Sequence, residues 1–192
     1  TDPPDPSPPV QEAPLRVLWL GTVNLRKGIP YLLEATKMLT GRPIEVRVVG
    51  PTQISEQVMR DAPSNVTFTG RVGRDEAQVE YQDADLFVLP TISDGFAITQ
   101  LEAMAHGLPV ITTPNCGRVV HDEVDGFLTP PRDSDALAEA IAVLDDDRSR
   151  LAEMSSAAFQ TSQSYTIDHL RQNLARALGD TVPQRSPNSS HG

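Results

Sequence analysis

Cysteine is nearly absent from this chain: Cys116 is the one example in 192 residues. No internal disulfide can form, which removes the small disulfide-stapled scaffolds and fits a reducing compartment. No apolar run approaches the ~20 residues needed to cross a bilayer. No basic-then-apolar segment opens the chain. Basic residues are scarce beside acidic ones, 16 Lys and Arg against 26 Asp and Glu, for a formal net charge of −10. That balance argues against nucleic acid as a partner, which needs a dominant basic face. It does not exclude a nucleotide, for which one local cluster of donors suffices. No group of Cys, His, Asp or Glu shows metal-ligand spacing. No Gly-x-Gly-x-x-Gly follows the first strand, and Gly21 to Gly28 is the wrong spacing, which disfavours a nicotinamide-binding dehydrogenase domain.

The residues that are present alternate between strand and helix patterns. Residues 1–14 hold six prolines and read as a linker with polyproline II character. Residues 179–192 are polar, rich in Ser and Pro, and read as a disordered tail. Between them, strands are expected at Arg16–Gly21, Ile44–Gly50, Val66–Gly70, Asp85–Leu89, Val110–Thr112 and Gly126–Thr129. Helices are expected at Ile29–Leu39, Ser55–Arg60, Asp75–Gln82, Thr99–His106, Asp133–Leu144, Arg148–Gln163 and Ile167–Leu178. Alternation at this spacing means an α/β domain with a parallel, doubly wound sheet over residues 15–178. In such sheets ligands bind beyond the carboxyl ends of the strands.

Two strand ends carry the chemistry. The first is Gly21-Thr22-Val23-Asn24-Leu25-Arg26-Lys27-Gly28. It brings two cations, Arg26 and Lys27, to a strand end, and Gly28 relieves crowding where a helix starts. The second is Asp94-Gly95-Phe96-Ala97-Ile98-Thr99-Gln100-Leu101-Glu102-Ala103-Met104-Ala105-His106-Gly107-Leu108-Pro109-Val110. Here a glycine turn enters a helix bracketed by two carboxylates. Helix-start N–H groups donate to phosphate oxygens and carboxylates accept from sugar hydroxyls, so the pattern suits a polyhydroxylated anion.

This second stretch resembles the signature of group 1 (family 4) retaining glycosyltransferases of the GT-B fold. Its usual form is Glu-Gly-Phe-Gly-x4-Glu-Ala-x-Ala-x-Gly-x-Pro-Val. Asp94 replaces the first Glu and Ala97 the second Gly. The resemblance covers about residues 15–178, the carboxyl-terminal, Rossmann-like half that binds the nucleotide sugar. It implies that the amino-terminal, acceptor-binding domain is missing from this chain and that the Pro-rich opening follows an interdomain hinge. It also implies a nucleoside-diphosphate sugar as donor (UDP-, GDP- or ADP-linked), no other cofactor, and no metal. The location implied is cytoplasmic, with any contact at the inner membrane made through the missing domain.

Residue roles follow from the same resemblance. Arg26 and Lys27 would neutralise the donor diphosphate, Arg26 standing in for an arginine that the family carries where this chain has Thr22. Asp94 would face the donor sugar, unless it serves only as a helix cap. Glu102 would bind the ribose hydroxyls; its apolar neighbours Leu101, Ala103, Met104 and Ala105 argue against full exposure. The N–H groups of Gly95, Phe96, Ala97 and Ile98 would cradle phosphate and sugar. Phe68-Thr69-Gly70-Arg71-Val72 resembles the segment whose backbone meets the nucleobase, with Val72 at the contact. Gly21, at the first strand end, would belong to the donor site, and Gly50 would border the nucleoside, although Gly50 also reads as an ordinary turn glycine. Gly117 would border the sugar. Cys116 reads as a small buried thiol, His106 as a helix-end residue and His121 as a surface residue. Competing readings are a degenerate nucleotide-binding module, motivated by Thr22, Asp94 and Ala97, and a related GT-B epimerase or phosphorylase. The phosphorylase lacks support, since no cofactor-binding lysine motif is found.

Overall fold

The structure is a computed structural model and describes residues 13–165. The linker at 1–12, the helix expected at Ile167–Leu178 and the tail at 179–192 lie outside the described residues.

Six strands and six helices follow one another: β1 (Leu15–Leu20), α1 (Ile29–Met38), β2 (Ile44–Val49), α2 (Glu56–Arg60), β3 (Val66–Gly70), α3 (Arg74–Gln82), β4 (Leu86–Leu89), α4 (Ile98–Ala105), β5 (Val110–Thr112), β6 (Gly126–Leu128), α5 (Ser134–Asp146) and α6 (Arg148–Gln163). Each expected element within these residues appears, with ends displaced by one or two residues. The sheet order is β3-β2-β1-β4-β5-β6, and every pairing is parallel. The chain therefore winds outward from β1, returns through α3, and winds outward again from β4 in the opposite direction. Right-handed crossovers then put α1 and α4 on opposite faces. α5 packs beside α1 and α6 beside α4, so both faces are covered.

Burial follows from that double covering. β4 is buried along its whole length, and Val17, Leu18 and Trp19 of β1 are likewise enclosed. A strand covered on both faces reads as a continuous apolar run, as Leu86-Phe87-Val88-Leu89 does. β2 instead alternates at first, with Glu45 and Arg47 exposed. Arg16 on β1 forms a two-point ion pair with Asp85, at 2.7 and 3.0 Å, which ties the start of β1 to the start of β4. α5 and α6 meet at Asp147, which ends one helix and caps the next by accepting from the Arg150 N–H at 2.9 Å.

The direction of winding, not of the strands, reverses between β1 and β4. Their carboxyl ends, and the loops 21–28 and 90–97 that leave them, form the crevice where ligands of such folds bind.

Candidate functional site

Two loops meet at the reversal and are stitched together. The Ile92 N–H and the Thr91 hydroxyl both donate to the Arg26 carbonyl, at 2.9 and 3.1 Å. The Arg26 guanidinium donates in return to the Ser93 carbonyl at 3.1 Å. Lys27 Nζ pairs with the carboxylate of Asp94. Both side chains of this pair are more than four-fifths withdrawn from water, at 15% and 12% exposure. The loop after β1 is held from its other side as well. Val23 forms a bridge with Thr52, and Asn24 Oδ1 accepts the Lys27 N–H at 3.0 Å. Arg26, Lys27 and Asp94, far apart in sequence, thus form one cluster at the carboxyl ends of β1 and β4.

The start of α4 lies beside that cluster. Asp94 does not cap the helix: the residue at the cap position is Ala97, three residues on, and the Asp94 carboxylate pairs with Lys27 instead. No side chain caps α4 at all. The N–H groups of Gly95, Phe96, Ala97 and Ile98 take no hydrogen-bond partner among the described residues. Uncapped N–H groups and the positive end of the helix dipole make this a place for an anion. Ala97, the residue before α4, has φ 47° and ψ 74°, the left-handed conformation that glycine adopts without cost. The signature that this stretch resembles has glycine at this position.

A cavity of about 400 Å3 opens at the ends of β1, β2 and β3. Gly21, Thr22, Gly50 and Val72 line it, so three of the residues expected to bind the donor converge there. Arg71 and Arg74 add two cations to its wall, which the sequence reading did not anticipate. Gly50 is required for a structural reason as well. A Cβ there would stand 1.8 Å from the Gly21 carbonyl oxygen, and its φ is 137°.

Glu102 departs from expectation. It is an exposed residue of α4. Successive helical residues are turned by about 100°, so the buried neighbours Ala103 and Met104 do not shield it. It is nevertheless held: one carboxylate oxygen accepts from the Tyr81 hydroxyl at 3.0 Å. Tyr81 is 3% exposed and belongs to α3, as does Ala77 of the cavity wall. Ala77 and Tyr81 stand four residues apart and so share one face of α3. Burial first, then the charge of Glu102, pushes the Tyr81 phenol well above its ordinary pKa of 10.0. The hydroxyl therefore remains a donor at every working pH.

The loop after β5 joins the arrangement through Gln100. This fully buried amide donates to the Phe96 carbonyl at 2.6 Å and to the Gly117 carbonyl at 3.1 Å. A Cβ on Gly117 would stand 2.6 Å from the Phe96 ring, so Gly117 is where the two loops touch. Cys116 is 7% exposed, and burial followed by the nearby Asp94 charge raises its pKa. It is a packed thiol, as expected. His106 ends α4 and stacks on Tyr81, with ring centroids 5.0 Å apart. His121 is exposed, as expected, but its Nδ1 also pairs with the fully buried Asp125 at 2.8 Å. Among the described residues no group of His, Cys, Asp and Glu could hold a metal ion. No described helix is long and apolar enough to cross a membrane.

Comparison with known proteins agrees with this fold. Residues 14–147, more than half of the chain, match the family model for group 1 glycosyl transferases. An uncharacterized glycosyltransferase from Methanocaldococcus jannaschii is 28% identical over 170 residues, covering 84% of this chain and 44% of that protein. The structure of HepE from Anabaena in complex with UDP superposes with a TM-score of 0.74 at 25% identity, covering 86% of this chain and 49% of HepE. The carboxyl-terminal domain of the group 1 glycosyltransferase LpcC from Francisella tularensis gives 0.71 at 20% identity, a likeness of fold that covers 80% of this chain and 87% of that domain. The chain spans a little under half the length of the full-length relatives it matches. It belongs to the group 1 glycosyltransferases and carries the Rossmann-like, carboxyl-terminal half of their GT-B fold.

Proposed function

We propose that this domain binds a nucleoside-diphosphate sugar across the β1/β4 reversal and holds its diphosphate as the leaving group. The observation that carries this reading is that Arg26 and Lys27 lie against the 90–97 loop, beside the N–H groups of Gly95 to Ile98, which take no partner among the described residues. The nucleoside would occupy the cavity lined by Gly21, Gly50 and Val72, with Glu102 on the ribose. The diphosphate would lie between Lys27, Arg26 and the N–H groups of Gly95 to Ile98. Asp94 would then exchange its partner Lys27 for hydroxyls of a hexose-type sugar. That UDP binds the similar protein HepE supports a nucleotide donor, without choosing among UDP, GDP and ADP.

In this reading the glycosidic C–O bond breaks with oxocarbenium character at the anomeric carbon. The electron pair leaves with the diphosphate, whose growing charge meets Lys27, Arg26 and the helix dipole rather than a divalent metal. The acceptor hydroxyl attacks from the side the diphosphate leaves, its proton passes to an oxygen of the departing diphosphate, and the configuration is retained. The acceptor site belongs to a separate amino-terminal domain. The isolated domain would bind donor and turn over little. In the cell the enzyme would be cytoplasmic, and membrane contact would fall to the other domain.

Calorimetric titration with UDP, GDP and ADP and their glucose, mannose and N-acetylglucosamine conjugates tests this. One nucleotide series should saturate, and Lys27→Ala should weaken its diphosphate by roughly tenfold or more, the scale of a charge-assisted hydrogen bond. Equal binding by Lys27→Ala and the wild type would sink the phosphate assignment. Sugar conjugates that bind no tighter than the bare diphosphate would favour the second reading, a degenerate module. The closed Lys27–Asp94 pair gives that second reading its one structural support.

A further inference from the structure

Glu102 is an exposed glutamate with several rotatable bonds, a poor tool for binding a hydroxyl unless something orients it. The structure supplies that restraint from another element. The Tyr81 hydroxyl, from α3, donates to Glu102 Oε2 at 3.0 Å. Tyr81 is itself immobilised. It is 3% exposed, stacks on His106 with rings 19° from parallel, and leans on Phe87 with centroids 6.1 Å apart. His106 in turn is anchored by Nδ1, 2.7 Å from the Glu102 carbonyl. One carboxylate oxygen is therefore fixed by a rigid donor, and the other is left to accept from a ligand.

We infer that Tyr81 is a positioning residue that sets Glu102 to select ribose over deoxyribose in the bound nucleotide. The inference rests on the donor-site reading above, in which Glu102 meets the ribose. A tethered carboxylate approaches a vicinal diol along a defined direction and loses little freedom on binding. A free one must be ordered at the moment of binding, and the cost falls on the ribose contact alone. The base and phosphates are bound elsewhere, so their contribution does not depend on Tyr81.

The test is the ratio of affinities for ribo and deoxyribo ligands on this chain. UDP, GDP and ADP are titrated with their 2′-deoxy and 3′-deoxy counterparts against wild type, Tyr81→Phe and Glu102→Ala. Thermal unfolding of each variant confirms that the ring packing, which phenylalanine retains, still folds. The wild type should prefer the ribonucleotide by about tenfold, the scale of hydrogen bonds to a charged group. Glu102→Ala should abolish the preference, and Tyr81→Phe should cut it to about threefold or less while deoxynucleotide affinity stays unchanged. A purely structural Tyr81 would weaken ribo and deoxyribo ligands alike and leave the ratio intact. That result, or a Tyr81→Phe ratio equal to wild type, overturns the positioning role while the donor site stands. A wild type that binds none of these nucleotides, or does not distinguish ribose from deoxyribose, overturns the ribose reading and the inference together.

Discussion

The loops after β1 and β4 solve the same problem with different residues. Each leaves the carboxyl end of a central strand, turns, and starts a helix from a left-handed residue without a side-chain cap: Gly28 at φ 81° before α1, Ala97 at φ 47° before α4. At Gly28 no other residue fits. A Cβ would stand 1.8 Å from the Pro90 carbonyl oxygen, because the β1 loop is pressed against the end of β4. At Ala97 the methyl is present and half-buried, so the conformation costs backbone strain but no collision. The left-handed turn is thus compulsory at both helix starts, while glycine is compulsory at one. Where two loops are stacked, sterics decides the residue. Where a loop borders open space, the backbone shape persists despite the residue.

The sharpest way to break this comparison is Gly28→Ala. It should destabilise the domain by at least about 3 kcal/mol, since backbone has to move to admit the methyl. Denaturant unfolding that finds a loss under about 1 kcal/mol would show that the two loops are not in fact pressed together. Next in size is Gln100→Leu. It strips a buried donor from the Phe96 and Gly117 carbonyls. A loss of about 2 kcal/mol is expected from two carbonyls left short of a partner. The same denaturation curve checks it, and an unchanged midpoint would mean that Gln100 does not hold the 90–97 loop. Ala97→Gly works in the other direction. Relief of left-handed strain, less the extra freedom glycine gives the unfolded chain, should raise stability by about 0.5–1 kcal/mol. A loss of stability instead would mean that Ala97 is not strained.

The smallest effect concerns Cys116, whose thiol reaches the Phe96 carbonyl at 3.7 Å in the same loop. Burial raises its pKa above 9.0 in the folded state only. The preference for the protonated thiol contributes stability below pH 9 that is lost as pH rises beyond it, when the unfolded chain gains thiolate and the folded one does not. Labelling with a thiol-specific disulfide reagent at pH 8 should be much slower than for the urea-unfolded chain. Equal rates would show the 90–97 loop to be open.

Much of this arrangement was legible in the residues themselves. The order of strands and helices, the crowding relieved by Gly28 and the cations at the first strand end all follow from local pattern. So does the signature from Asp94 to Val110, because helix starts and strand ends are built from contiguous residues. Other features were illegible. That Asp94 is tied to Lys27 rather than capping a helix depends on two loops 67 residues apart in sequence. The sequence neighbours of Glu102 say little about its exposure, because a helix turns them away from it. Nothing in α3 marks Tyr81 as the partner of Glu102, and Arg71 and Arg74 become cavity walls only when β3 lies beside β2.

Element order, the parallel sheet and the family follow from the residue pattern alone, since hydrophobic periodicity and a long contiguous signature are local properties. Tertiary structure decided which charges pair, which glycines are irreplaceable and which carboxylate is held. Those outcomes depend on distances across loops that approach one another only when the sheet order β3-β2-β1-β4-β5-β6 brings the ends of β1 and β4 side by side. A hydrogen bond or a steric clash acts over a few ångströms, and no separation along the chain predicts it.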